Sequence, residues 1–264
     1  MFRRRFGAVL ALFVALAVAG PARQAQGAAD VRKLHLVISA IPTQVDGGGF
    51  NDELDFFNRT QLGDREGLDR ITFAWLFDAE LRYLMRNNWA ITAGVGQLRS
   101  QTKREYLPGL QQTIQLRREI LSVPIHVGGA YYFTPYNQGD FQARAYLGGG
   151  FLGMGLNRKT FQVYENVTDT TSLSRIPGGS RVESSSRMAP GYYAEVGVHM
   201  FFAVRYSVVI GAVYRSAKVE DLVVGYDAPA RGVEQGEIEL DERGRPRFMD
   251  LSGVGARIGL CYGF

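Results

Sequence analysis

The last eleven residues of the chain, Val254 to Phe264, alternate strictly between two kinds of side chain. Apolar residues occupy the even positions, and glycine, cysteine or arginine occupies the positions between them. Successive side chains of a β-strand point to opposite faces, so this pattern predicts a two-faced strand. A continuous apolar face backed by small or charged residues suits a barrel wall in lipid better than a soluble sandwich.

The amino-terminal segment has the pattern of a secretory signal peptide. Arg3, Arg4 and Arg5 precede a short apolar run, and small residues follow it. Such a signal consists of a positively charged start, a short apolar core and small residues at the cleavage site. We predict a cleaved signal peptide over residues 1–29, with its exact cleavage site left open, and one barrel domain over residues 30–264. An amino-terminal membrane anchor is the alternative, although the apolar run is shorter than the roughly 20 residues of a spanning helix.

The basic balance of the chain comes from this segment. The formal net charge is +4, and residues 1–29 contain four arginines and no acid. The remaining chain is therefore close to neutral, which removes the argument for a nucleic-acid partner. The single cysteine, Cys261, excludes an intramolecular disulfide, and we expect it to be an inert small residue on an inward face.

Eight alternating segments can be read from Val31 onward. The second, residues 71–84, is the clearest, because Asp78, Glu80 and Arg82 share one face and apolar residues share the other. Turning this strand over would place an arginine in lipid at a cost of about 2–4 kcal/mol, so its register is well determined. The other segments are residues 31–41, 89–98, 119–133, 141–156, 191–202, 206–215 and 254–264.

The connections between these segments alternate between short and long. Long ones fall at residues 42–70, 99–118, 157–190 and 216–248. Short periplasmic turns and long external loops are typical of outer-membrane barrels, and aromatic residues beside the short turns are typical of an interfacial girdle. The sequence therefore predicts an all-β fold, an eight-stranded antiparallel up-and-down transmembrane β-barrel.

Two central stretches carry a family resemblance. Residues 120–133, ILSVPIHVGGAYYF, and residues 145–151, AYLGGGF, resemble matching strands of small bacterial outer-membrane β-barrel proteins. These are the porin-family barrels grouped with OmpA transmembrane domains, OmpX and OmpW. The resemblance implies an eight-stranded monomer without an open pore, and it carries no catalytic residue, cofactor or metal.

The carboxyl-terminal strand adds to this resemblance. In such proteins the terminal aromatic residue and the alternating apolar residues are read by the barrel-assembly machinery. The resemblance therefore implies an assembly signal at Ile258, Leu260, Tyr262 and Phe264. It also implies export through the periplasm to the bacterial outer membrane, with periplasmic chaperones, outer-membrane lipid and lipopolysaccharide as partners.

The inward positions of the segments predict a lumen charge network. The interior of an eight-stranded barrel is just wide enough to be filled by side chains, and buried charges require partners. We expect Glu195 and Arg257 to pair across the lumen, and Asp78 or Glu80 to meet Arg144. The network serves as a structural plug or as a charge gate for small ions. Its predicted members are Asp78, Glu80, Arg82, Arg144, Glu195 and Arg257.

Two other patterns suggest chemistry. His35, His126 and His199 fall on inward faces, whereas a lipid hydrolase needs its histidine at a lipid-facing site near the outer leaflet, so we expect no enzyme. The glycines of residues 148–153 match a dinucleotide fingerprint, but they lie inside a strand with no helix after it and are interpreted as making room in the lumen.

Three loop segments are expected to be structured. Residues 160–167 continue the alternation of the fifth strand. In the acidic first loop, Asn51 is predicted to cap a short helix with Phe50, Leu54 and Phe57 on one side, either resting on the barrel rim or near a divalent-cation site. Residues 237–240 and 247–250 flank a turn at residues 244–246, which predicts a hairpin standing above the membrane. Such a protruding edge could bind a partner.

The sequence thus predicts an outer-membrane barrel with a structural or surface-recognition, adhesion-like role. Three alternatives remain open: an outer-membrane enzyme that hydrolyses lipid A or phospholipid, a narrow ion-conducting porin, and a soluble lipocalin-like carrier.

Overall fold

The computed structural model describes residues 32–62, 66–86, 88–109, 112–138, 141–165, 180–202, 205–228, 235–241 and 244–264. The predicted signal peptide lies outside these residues and stays a prediction.

Eight long strands close into an antiparallel barrel. Each pairs with the next of the eight along the chain, and the last pairs with the first, which closes the ring. The predicted all-β, eight-stranded fold is therefore confirmed. The strands are β1 (Leu34–Gln44), β2 (Phe73–Arg86), β3 (Trp89–Gly109), β4 (Gln112–Tyr132), β6 (Phe141–Glu165), β8 (Ala189–Phe201), β9 (Tyr206–Val219) and β12 (Gly253–Gly263).

The two ends of the barrel differ. At the turn end, β2 leads into β3, β4 into β6 and β8 into β9; the opposite end is the loop end. Helix α1 (Gly49–Phe57), a π-helical turn (Asn58–Leu62) and three short strands lie at the loop end: β7 (Ser180–Ser185), β10 (Val223–Ala228) and β11 (Met249–Asp250). β7 pairs with the part of β6 nearest the loop end, and β10 pairs with β7. At the turn end, β5 (Tyr136–Gln138) pairs with β6.

Within the part of the chain that is described, no helix has the length and apolar character to cross a membrane.

β3 and β4 are longer than the alternation predicts, and β6 includes the described part of the predicted continuation at residues 160–167. β3 continues to Gly109, β4 begins at Gln112 and β6 continues to Glu165. Most of the predicted loop at residues 99–118 is therefore a strand hairpin. Its outward residues, such as Gln101 and Lys103, are polar, so the apolar period that reveals a half-buried strand is missing there.

The outer surface of the barrel carries a continuous apolar band. Trp75, Phe151 and Leu260 remain 46%, 78% and 71% exposed, respectively. On β2 the outward apolar residues run from Trp75 to Met85, which is a height of about 25 Å at about 3.3 Å per residue and a strand tilt of about 40°. Near the turn end, aromatic rings contact each other in pairs, as in Trp89 with Tyr131 at 5.1 Å between centroids.

The lumen is filled in layers. Toward the turn end, Val37, Tyr132, Tyr146 and Val209 belong to one buried cluster. A middle layer holds the buried ions described below. Toward the loop end, a second apolar cluster extends from inward strand residues to helix α1, and we call it the upper apolar cluster. It includes Leu98, Ile120, Met154, Phe50 and Leu54.

Helix α1 closes the loop end of the lumen. Phe50 and Leu54 are buried in the upper apolar cluster, and Phe57 packs against it. The sequence correctly grouped these three residues on one side of a helix. They are inserted into the barrel mouth, so α1 is a plug as well as a rim element.

The predicted cap of α1 by Asn51 is wrong. The residue before the helix is Gly48, and no side chain caps it. Gly47 and Gly48 have φ values of 77° and 46°, which turn the chain before the helix begins. Asn51 instead lies buried within the helix, where its amide donates to the Asp46 and Ile71 carbonyls at 2.8 and 3.0 Å and accepts from the Ile71 N–H at 2.8 Å. It ties α1 to the entry of β2.

The predicted turn at residues 244–246 is present. Leu240 bridges Pro246, the Asp241 N–H donates to the Arg245 carbonyl at 2.7 Å, and Gly244 has a φ of 73°. The segment contacts α1 and β6 through Glu239 and Arg247. These ion pairs hold the predicted hairpin against α1 and β6 at the loop end, and its position above the membrane stays a prediction.

Candidate functional site

Arg82 lies at the centre of the lumen, fully buried on the inward face of β2. Its Nε donates to Glu80 Oε1 at 2.9 Å, its Nη1 to the Tyr132 hydroxyl at 2.8 Å and its Nη2 to Glu195 Oε1 at 2.9 Å. The guanidinium also lies 4.7 Å from the centre of the Tyr146 ring. All sides of this cation are therefore occupied by groups that stabilise positive charge.

Arg257, from β12, which β1 separates from β2, contacts the same carboxylates. Its Nη1 lies 2.7 Å from Glu195 Oε2 and 3.3 Å from Glu80 Oε2, and its Nη2 lies 3.4 Å from Asp78 Oδ2. Its Nε donates to Ser39 Oγ at 3.0 Å. The structure thus brings Glu195 and Arg257 together, as the sequence predicts. We call Asp78, Glu80, Arg82, Glu195 and Arg257 the central ion cluster.

Arg144 does not take the predicted place in this cluster. Asp78 and Glu80 pair with Arg257 and Arg82, whereas Arg144 Nε donates to Gln142 Oε1 at 2.8 Å and its guanidinium lies over Phe201. Register explains the difference. Arg144 is opposite His199 on β8, four residues nearer the turn end than Glu195, so the expected pairing of Arg144 with Asp78 or Glu80 is wrong.

His126 completes the central ion cluster at its edge. Its Nε2 lies 3.0 Å from Asp78 Oδ1, and its ring contacts Tyr193 edge-on. Three carboxylates face two guanidiniums in the cluster, so a protonated His126 would balance the formal charge. Because a buried charge is costly unless it is compensated, this histidine contributes to the electrostatics of the lumen.

Asp78, Glu80 and His126 are also the described residues whose ligand atoms come within 4.8 Å of one another. Both carboxylates already accept from Arg257, and Glu80 also accepts from Arg82. The pattern is that of a salt-bridge cluster, and these contacts give no reason to assign a metal or cofactor there. A cavity of about 40 Å³ beside it, lined partly by Leu152 and Val213, has room for a few water molecules.

All three histidines point into the barrel, as the sequence predicts. His199 is fully buried, with Nε2 2.8 Å from Ser207 Oγ and Nδ1 3.2 Å from the Tyr132 hydroxyl. His35 Nε2 lies 2.6 Å from the Arg32 carbonyl. A serine beside a histidine has the form of an activated nucleophile, but this pair is enclosed between strands where a lipid ester has no access.

The glycines of residues 148–153 lie inside β6, and no helix follows them. A Cβ on Gly148 would lie 2.8 Å from Glu195 Oε1, and one on Gly128 would lie 2.6 Å from the Tyr193 hydroxyl. These positions make room for the central ion cluster and its neighbours, in agreement with the interpretation that the dinucleotide pattern is accidental.

A second buried ion cluster, which the sequence reasoning missed, lies at the loop end. Arg158 of β6 donates from Nη2 to Glu53 Oε2 at 2.6 Å and from Nη1 to Glu239 Oε1 at 2.8 Å. Arg247 pairs with the same two carboxylates. Arg158 lies at an even position of β6, as the other inward residues of this strand do. This alternation is the sequence signal that could have identified it as an inward charge. We call Glu53, Arg158, Glu239 and Arg247 the loop-end ion cluster.

The loop-end ion cluster shapes the titration of Glu53. Burial by itself raises the pKa of this carboxyl, but the nearby Arg158, Arg118 and Arg247 hold its pKa below the ordinary value. Glu53 is therefore a carboxylate at neutral pH and fixes α1 against β6. Because Glu53 lies on α1, its ion pairs add to the contacts of Asn51, Phe50 and Leu54 that join the plug to the barrel wall.

Other acidic residues of the first loop also face arginines. Asp52 and Asp55 lie 3.9 and 3.1 Å from Arg70, and Glu66 and Asp69 lie 3.0 and 3.5 Å from Arg104. The acidic composition that suggested a divalent-cation site is thus matched by basic partners at the same end of the barrel.

The residues of the predicted assembly signal lie on the outward face of β12. Ile258, Leu260 and Phe264 are exposed within the apolar band, and the ring of Tyr262 contacts Tyr206 and Phe264 at 5.5 and 5.1 Å between centroids. Their role in assembly stays a prediction. Cys261 is buried on the inward face between them.

No protein-family model and no curated protein matches the chain. Among solved structures, the chain is similar to the outer membrane protein OprG from Pseudomonas aeruginosa, with 12% identity and a TM-score of 0.47 over 90% of this chain and 99% of that one. It is similar to Ail, the attachment invasion locus protein of Yersinia pestis, with 13% identity and a TM-score of 0.33 over 88% and 97% of the two chains. It is also similar to the N-terminal β-barrel domain of Pseudomonas aeruginosa OprF, with 10% identity and a TM-score of 0.30 over 87% of this chain and 97% of that one.

These likenesses concern the fold alone. The predicted resemblance to small bacterial outer-membrane β-barrels is confirmed at that level, since the structure has the closed eight-stranded barrel that the resemblance implies.

Proposed function

We propose that this chain is a bacterial outer-membrane β-barrel with a closed lumen and a structural or surface-recognition role. The observation that carries the proposal is the combination of an apolar outer band with a lumen sealed by buried ions and a helical plug. A soluble carrier needs neither the band nor the seal.

The apolar band supports placement in a membrane. Soluble monomers rarely expose contiguous apolar patches larger than a few hundred Å². Here large apolar residues surround the barrel, and the band has about the 25 Å height of known outer-membrane barrels. Every strand of the closed ring has two hydrogen-bonded neighbours, as lipid requires. With the signal-peptide pattern, this supports export, chaperone and assembly-machinery contacts, and insertion as a monomer with the loop end outside.

The sealed lumen favours a structural role over conduction. Arg82 and Arg257 each join carboxylates from different strands, so the central ion cluster braces the barrel wall across its interior. The upper apolar cluster and α1 lie between this layer and the loop end. An ion that crossed the barrel would have to displace both layers, which argues against a narrow porin.

The loop end supports surface recognition. Helix α1, β6 and the segment at residues 237–250 are joined by the loop-end ion cluster. A surface held by buried ion pairs is pre-organised, and pre-organisation lowers the entropic cost of binding a partner.

A lipid-hydrolysing enzyme is the rival. The inward, buried positions of the histidines argue against it, because the base of such an enzyme must reach a nucleophile that contacts the substrate. Purified, refolded protein is therefore expected to release no fatty acid from phospholipid or lipid A. Steady release that is lost in His199→Ala but retained in His126→Ala would replace the proposal with the rival.

The proposal is tested by refolding the protein into phospholipid vesicles and comparing gel mobility with and without boiling. A heat-modifiable band and protection of the barrel strands from protease are expected. Planar-bilayer recordings should show no conductance, either for the parent or for Arg257→Ala, since α1 and the upper apolar cluster remain in place. A soluble product without a mobility shift would overturn the membrane placement, and a stable open conductance in the parent would overturn the closed lumen.

A further inference from the structure

We propose that the outward face of β3, β4, β6 and β7, just beyond the apolar band, binds the phosphate groups of an anionic glycolipid in the outer leaflet. This rests on the proposed function, since the face meets lipid only if the barrel spans the outer membrane. We call this face the basic wall. Its cations are Arg99, Lys103, Arg117, Lys159 and Arg181.

A row of directly paired residues carries cations across the basic wall. Lys103 of β3 is directly opposite Arg117 of β4, Arg117 is opposite Phe161 of β6, and Phe161 is opposite Arg181 of β7. Like charges directly opposite each other on neighbouring strands are destabilising. The repulsion between Lys103 and Arg117 is removed when an anion lies between them, so the row is complementary to a phosphate.

Phe161 holds two of these cations in position. The guanidinium carbons of Arg117 and Arg181 lie 5.7 and 5.4 Å from the centre of its ring. Cation–π contacts of this kind keep the charged heads against the strand surface. The positive charge is thus placed on the wall before any ligand binds.

The acids of the basic wall do not neutralise it. Glu119 is shared by Arg99 and Arg117 at 3.0 and 2.7 Å, and Glu183 is shared by Lys159 and Arg181. Glu105 is the one further acid on this face among the described side chains. Over the described side chains of this face, five cations against three acids leave a net charge of +2.

The height of the basic wall matches lipid headgroups. Arg99 is paired with Trp75, at the edge of the apolar band. Lys103 lies four residues farther along β3, which is about 10 Å higher at about 3.3 Å per residue and a tilt of about 40°. The cations therefore begin where hydrocarbon ends and face sideways, toward lipid. A soluble polyanion would have to approach from the membrane side.

The wall formed by β12, β1 and β2, which borders β3 on its other side, has no such charge. The outward residues of β12, β1 and β2 are apolar or uncharged from Val254 to Phe264, from Leu34 to Gln44 and from Phe73 to Met85. These strands contain 11, 11 and 14 residues, against 21, 21 and 25 in β3, β4 and β6. The cations are concentrated on the tall side of the barrel, which a general need for solubility does not explain.

The test compares binding of bisphosphorylated lipid A with binding of lipid A from which both phosphates have been removed, using the refolded full chain in zwitterionic detergent. The parent is expected to bind the phosphorylated form about tenfold more tightly, a difference of about 1.4 kcal/mol, and salt should reduce the preference. The variant Lys103→Gln/Arg117→Gln/Arg181→Gln is expected to lose the preference. A variant that keeps the full preference would overturn the proposal.

A matched control removes the same charge elsewhere at the loop end, through Arg59→Gln/Arg70→Gln/Arg245→Gln, and is expected to retain the preference. Equal loss in this control would show a general charge effect and overturn the site. Inositol hexakisphosphate is the soluble probe, and its binding at the same cations with the affinity of lipid A would overturn the lipid assignment. Gel mobility is measured first for every variant. Failure of the parent to insert into vesicles refutes the proposed function, whereas normal insertion without a phosphate preference refutes this inference alone.

Discussion

Replacement of Arg257 by methionine isolates the energetic contribution of the central ion cluster. The substitution keeps much of the side-chain volume and removes the cation that contacts Glu195, Glu80 and Asp78. Removing one partner from a buried ion cluster is costly because the other partners stay buried without compensation.

The magnitude follows from the contacts. The short bond to Glu195 at 2.7 Å is a hydrogen bond between charged groups, a class with a net stabilisation of about 1.5–3 kcal/mol, and the bond to Ser39 adds about 1 kcal/mol. The longer contacts to Glu80 and Asp78 add less, and Arg82 still compensates part of the remaining charge. We expect Arg257→Met to lower the free energy of unfolding by about 3–5 kcal/mol.

The assay is urea unfolding of the protein refolded in phospholipid vesicles, followed by tryptophan fluorescence. The double variant Arg257→Met/Glu195→Gln should lose less than the sum of the single losses, with a coupling energy of about 0.5–3 kcal/mol, because it leaves fewer unpaired charges. Arg205→Met, at an exposed position near the turn end, is the control and should match the parent. A change below about 1 kcal/mol in Arg257→Met would refute the idea that this cation balances the lumen.

Three further predictions concern other parts of the molecule. Glu53 has a pKa held below its ordinary value of 4.5, so the stability that Glu53→Gln loses at neutral pH should diminish as pH falls through the lower folded pKa, and a loss that stays constant in acid would contradict this. Asn51→Ala should cost about 1–3 kcal/mol in urea unfolding, because buried backbone groups at the entry of β2 lose their partner, and a neutral result would show that water replaces the amide. Gly148→Ala should destabilise the barrel by about 1–3 kcal/mol by displacing Glu195, whereas Gly155→Ala, whose Cβ would meet only a sulfur at 3.9 Å, should be tolerated; equal effects would mean that lumen crowding is not the cause.

The alternation of inward and outward side chains along each strand made most of the barrel predictable. Three charges on one face of β2 leave a single register that keeps them out of lipid, so the inward positions of Asp78, Glu80 and Arg82 follow from sequence. The depth of Glu195 and Arg257 follows from their equal distance to the strand ends, and their side chains meet in the structure at 2.7 Å.

The relative height of residues on different strands was harder to predict. The position of Arg144 depends on the stagger between β6 and β8, which alternation alone does not contain, and its partner was predicted wrongly. The loop ends of β3 and β4 have polar outward residues, so their strand character was hidden. The role of Arg158 depends on Glu53 and Glu239, which lie 105 and 81 positions away in the chain, and only the folded loops bring them together.

The pairing of β1 with β12 has a consequence for the order of assembly. The bond from Arg257 to Ser39 joins residues that are 218 positions apart, and the ring has two open strand edges until that contact is made. Contacts this distant in sequence form slowly, because the chain must give up its freedom before they stabilise it. An open edge also offers unpaired backbone groups to neighbouring chains. Pairing of the last strand with β1 therefore closes the barrel. Before this pairing forms, a chaperone would be needed to protect the open edges of this chain from aggregation.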